Sequence, residues 1–149
     1  MLKRHLTVGV DCGEHTAIAV YDILKKKIIQ METTDFFGAF RIFKTLPKEN
    51  ITVIVEVPAA FVYARNDFQK GSVRDLMCFH MGANRREAQL LAKGLRLWEY
   101  DVREVLPIRA RKWTADQIRR ELGITARTNQ HIRDACRLAL FHSSMRNLQ

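Results

Sequence analysis

Four side chains scattered along the sequence, Asp11, Glu56, His131 and Asp134, are of the types that bind metal ions and move protons. Asp11 follows the apolar run Thr7 to Val10, and Gly9 and Gly13 allow another backbone or a ligand to approach on either side of it. Glu56 lies inside ITVIVEVP, residues 51–58, where a carboxylate raises the free energy of the fold unless something there uses its charge. Strand alternation puts Ile54 and Glu56 on one face and Val53, Val55 and Val57 on the other, so the glutamate shares a face with core residues. His131 and Asp134 are three residues apart, about 60° around a helix. Both border the apolar arc of Ile132, Ala135, Leu138 and Ala139 and can look inward.

Each has a plainer explanation: a turn aspartate, a salt bridge from Glu56 to an arginine, a solvated helix flank beside Arg133 and Arg137. Taken together, they suit a hard divalent cation, which draws carboxylate oxygens from separate elements. Two such ions about 3.5–4 Å apart can clamp the attacking and leaving oxygens of a phosphodiester displacement. Clustered carboxylates repel one another unless cations bind, which gives Glu56 a reason to stand in an apolar strand.

The elements that must position these residues follow from hydrophobic patterning. Leu6 to Val10 reads as a strand, a turn at Cys12-Gly13-Glu14 leads to a second over Thr16 to Ile23, and a third covers Ile28 to Thr33. Asp35 can cap a helix through Phe43 that Pro47 ends. The fourth strand carries Glu56, and beyond Pro58 the segment AAFVYARNDFQKGS reads as a loop rich in aromatic and basic residues. A long helix from about Val73 to Tyr100, interrupted near Gly82, precedes a fifth strand over Val102 to Leu106. Helices over Trp113 to Leu122 and about Asn129 to Met145 complete the chain. The pattern is that of one α/β domain spanning residues 1–149, with a mixed sheet.

Lys and Arg number 25 against 16 Asp and Glu, a net charge of +9 that points to a polyanionic partner, although a membrane surface, a ribosomal contact or solubility alone would also account for it. Cys12, Cys78 and Cys136 lie far apart, which suggests neither a disulfide framework nor a local zinc site. No run approaches the roughly 20 apolar residues of a membrane helix, and Asp11 cuts short any signal core, so a soluble, cytoplasmic protein is expected.

Gly9-Val10-Asp11-Cys12-Gly13 on the first strand, Val55-Glu56 on the fourth and His131-Ile132-Arg133-Asp134-Ala135 on the last helix resemble the RuvC-like Holliday-junction resolvases, nucleases of RNase H-like fold. The resemblance implies a mixed five-stranded sheet flanked by helices, with Asp11 bridging two Mg²⁺ or Mn²⁺ ions. Glu56 would hold one of them and Asp134 with His131 the other, unless His131 instead positions or deprotonates the attacking water. It further implies a homodimer formed through the long helix after Val73, cutting four-way DNA junctions in pairs of nicks. Phe61, Tyr63 and Phe68 would meet unpaired bases, with Arg65, Lys70 and Arg74 beside them, and Arg109, Arg111 and Lys112 would meet the DNA backbone.

Two other readings stay open: a relative with a similar acidic set that processes RNA, and a nucleic-acid-binding module that has lost its chemistry. Competent residues at all four metal positions argue against the second. An actin-like ATPase also begins with a strand, Asp and Gly, but 149 residues leave no room for its second lobe.

Overall fold

The computed structural model describes residues 5–58 and 71–144, apart from the side chains of residues 71–75, 77 and 144. Five strands form one sheet: β1 (Leu6–Asp11), β2 (Thr16–Asp22), β3 (Lys27–Thr34), β4 (Ile51–Glu56) and β5 (Asp101–Val105). Their spatial order is β3-β2-β1-β4-β5. The first three run antiparallel as a meander, whereas β4 lies parallel to β1 and β5 parallel to β4. The helices are α1 (Phe36–Phe43), α2 (Gly71–Leu97), α3 (Ala115–Leu122) and α4 (Gln130–Ser144).

Side-chain alternation divides the core into two layers. Val8 and Val10 of β1, Ile18 and Val20 of β2 and Val53 and Val55 of β4 pack against Ala39 and Phe43 of α1 and Leu91 and Leu95 of α2. On the opposite face Ala17 and Ala19 of β2 meet Ile118 of α3 and Ile132, Ala135 and Cys136 of α4. Small residues on this face let α4 lie close to the sheet. A Cβ added at Gly9 would stand 2.7 Å from the Ala139 nitrogen and also run into the Ala135 carbonyl, so only glycine lets the helix cross β1 at this depth.

The element order agrees with the sequence pattern, and the differences have local causes. The second strand stops at Asp22 because its carboxylate turns the chain, accepting hydrogen bonds from the Leu24 and Lys25 amides. Asp35 caps α1 as expected, accepting from the Gly38 amide. The long helix starts at Gly71, ends at Leu97 and runs unbroken past Gly82. Glycine in a helix costs about 1 kcal/mol relative to alanine, which the buried turns at Ala88, Leu91, Ala92 and Leu95 readily offset. Trp113 stands outside α3 because Thr114 is the N-cap, in a capping box with Gln117. The fifth strand is Asp101–Val105, one residue earlier than its apolar run suggested, with Asp101 accepting from the Thr52 hydroxyl.

Candidate active site

Asp11 and Glu56 are the last residues of β1 and β4, and the parallel register pairs them directly. Neighbouring strands lie about 4.8 Å apart, so the two carboxylates leave adjacent strand ends on the face that α4 covers. From α4, Nδ1 of His131 reaches to 2.9 Å from Oδ2 of Asp11. One turn along, Asp134 accepts from Gln130 Nε2 at 2.8 Å through one oxygen and pairs with Lys112 Nζ at 3.3 Å through the other. The four residues named from sequence thus converge on one sheet end, brought there by two strands and one helix.

Their electrostatics are those of crowded acids. Burial pushes the Glu56 carboxyl up to about 7, and the charges of Asp11 and Asp134 push the same way, while Lys112 and Arg137 only partly oppose them. Asp11 is also raised, chiefly by burial, against the lowering effect of its His131 contact. Among the described residues Glu56 has no salt-bridge partner, so the ion-pair explanation of its place in the strand does not hold there. Next along the chain, the Cys12 thiol is pushed far above its usual range by burial and by Asp11, Glu87 and Glu56.

Beside the acids opens a cleft of about 120 Å³, lined by Glu56, Asp134, Lys112 and Arg137 and by the connection from Pro107 to Ala110. Lys112 therefore stands at the acidic centre, while Arg109 and Arg111 are exposed on the same connection between β5 and α3. Arg74 lies on α2, and its side chain is outside the described residues, as are Phe61, Tyr63, Arg65, Phe68 and Lys70 entirely. Sequence reasoning missed Gln130 and Trp113 as supporting residues and counted Arg137 only among the many basic residues near the site. Gln130 stands four residues before Asp134, a helical spacing that carries the signal, whereas nothing local distinguishes Trp113, or sets the cleft-lining Arg137 apart from the other arginines.

Among the described residues no group of three His, Cys, Asp or Glu side chains is already drawn together around an ion position. The donors nevertheless fit a hard divalent cation in kind: carboxylate oxygens from separate elements, with Glu56 held near its charging point by burial and like charge.

Sheet order, parallel acidic strand ends and a closing helix across them define an α/β fold of the RuvC and RNase H-like type. The chain is similar to a solved structure of T. thermophilus RuvC in complex with a Holliday junction substrate, with a TM-score of 0.61 and 16% identity over 96% of this chain and 95% of that one. At that identity the likeness shows the fold. No protein-family model matches the chain, and no curated protein matches it in sequence.

Proposed function

We propose that this chain is a metal-dependent, structure-selective DNA endonuclease that resolves four-way junctions, with residues 1–149 as one nuclease domain. The observation that carries the reading is the in-register pairing of Asp11 with Glu56 beneath His131 and Asp134 of α4. Likeness to a solved RuvC bound to a junction supports the substrate class.

In this reading Asp11, Glu56 and Asp134 hold Mg²⁺ or Mn²⁺, two ions per site, which when bound neutralise charge on the attacking and leaving oxygens of the phosphodiester. Asp11, on the central strand, would serve both ions. His131 is oriented through Nδ1 by Asp11, which leaves Nε2 to take a proton from the attacking water. Lys112 restrains Asp134 and lends positive charge where the phosphate enters. Arg109 and Arg111 contact the DNA backbone, and Phe61, Tyr63, Arg65, Phe68, Lys70 and Arg74 meet the junction centre. Two copies pair through the amino-terminal half of α2, where Leu76 and Phe79 are 57% and 70% exposed.

The test is a substrate panel: labelled four-way junction, duplex DNA, single strand, RNA–DNA hybrid and structured RNA, each with Mg²⁺, Mn²⁺ or EDTA. Cutting confined to the junction and abolished by EDTA is expected, with a sedimentation mass of twice 17.3 kDa at micromolar concentration. Cutting of RNA alone would transfer the chemistry to an RNA-processing role. Binding without cutting in any metal would make the chain a binding module.

A further inference from the structure

We propose that Arg137 grips the non-bridging oxygens of the scissile phosphate, an assignment that rests on the nuclease reading above. Arg137 follows Asp134 by one turn of α4 and lines the cleft shared with Glu56, Asp134 and Lys112. Its guanidinium lies over the Trp113 ring, 5.7 Å from the centroid, and one nitrogen donates to the Arg111 carbonyl at 3.1 Å. The head group is therefore anchored at its plane and at one corner. Among the described residues no carboxylate closes a salt bridge on it, which leaves most of its five donors open to a ligand.

Its neighbours on the helix and at the cleft are already committed. Arg133, one turn earlier, donates to the carbonyls of Trp113 and Thr128 and to the Gln130 amide oxygen, and so ties α4 to the preceding connection. Lys112 is paired with Asp134. A planar fork held by stacking, with most of its donors unpaired and lining a cleft of about 120 Å³, suits bidentate recognition of phosphate oxygens. The competing role, charge balance for Glu56, fits less well because the two do not approach to salt-bridge distance, and bound cations would remove the need for it.

The test compares wild type, Arg137→Gln, Arg137→Lys and, as a charge control remote from the site, Lys48→Gln on a synthetic four-way junction. Binding is measured in EDTA across a salt series, and cleavage as a single-turnover rate at saturating protein with Mg²⁺. For Arg137→Gln, log affinity against log salt should flatten by about 0.9, the share of one phosphate contact. Its cleavage rate should fall about 100-fold, as for loss of one transition-state donor. Arg137→Lys should restore the salt slope but remain roughly tenfold slow, and Lys48→Gln should leave the cleavage rate unchanged. Wild-type slope and rate in Arg137→Gln would overturn this inference and leave the nuclease reading intact. Should wild type bind without cutting, the slope alone decides. A wild-type chain that neither binds nor cuts the junction overturns both.

Discussion

Asp11 and Glu56 face each other across two parallel strands, and neither position is one that a fold would choose for a charge. The consequence is a defined pH dependence in the metal-free protein. Glu56, raised from 4.5 to about 7, keeps a proton in the folded state that the unfolded chain releases near 4.5. Between those values the folded state binds more protons, so this group's contribution to stability is present at low pH and lost as pH rises through about 7. Asp22, held below the usual carboxylate range by the Lys25 and Leu24 amides, works in the opposite sense, but only in more acid solution. Glu56→Gln should therefore raise the melting temperature in EDTA at pH 8 by about 3 °C, roughly 1 kcal/mol after allowance for solvent screening, and change it little at pH 5. Mg²⁺ should stabilise wild type more at pH 8 than at pH 5 and lose most of that effect in the variant. Thermal unfolding at the two pH values, with and without Mg²⁺, decides. Equal destabilisation of Glu56→Gln at both would mark the side chain as an ordinary structural partner.

At the scale of elements, the site depends on how closely α4 crosses β1, and Gly9 sets that distance. Gly9→Ala drives a methyl group into the helix backbone at Ala135 and Ala139, which should cost about 1–3 kcal/mol and displace His131 and Asp134 from the strand ends. Chemical denaturation should show the loss. In the nuclease reading the cleavage rate of the remaining folded protein should drop tenfold or more, since small displacements of catalytic groups are expensive in rate. A variant as stable as wild type would show that α4 has room to spare. Much of this arrangement was legible in the sequence, because alternation in ITVIVEVP fixes the face of Glu56 and the three-residue spacing fixes the shared direction of His131 and Asp134. What stayed hidden depends on contacts between distant elements. Nothing local says that Gly9 serves α4 or that Arg137 lies over Trp113. Glycine at 82 reads as a break until the buried turns of α2 that outweigh it are known.

Across the whole molecule, a net charge of +9 and an acidic centre must be reconciled. Lys112 and Arg137 line the cleft beside the acids and Arg109 and Arg111 are exposed on the same connection, so in the nuclease reading a polyanion would be drawn to these cations and its phosphate brought to the carboxylates. Among the described residues no helix is long and apolar enough to cross a membrane. Leu76 and Phe79 on α2 are exposed, and in the nuclease reading they would give two copies a surface through which to join for paired incision. The most direct test is to map the nicks made in a strand-labelled four-way junction by wild type and Asp11→Asn with Mg²⁺, alongside junction binding by both. Paired, symmetric nicks from wild type, absent in Asp11→Asn while its binding equals or exceeds wild type, are the predicted result. Nicks that persist in Asp11→Asn, or binding lost together with cutting, would contradict the account and reduce Asp11 to a residue of the fold.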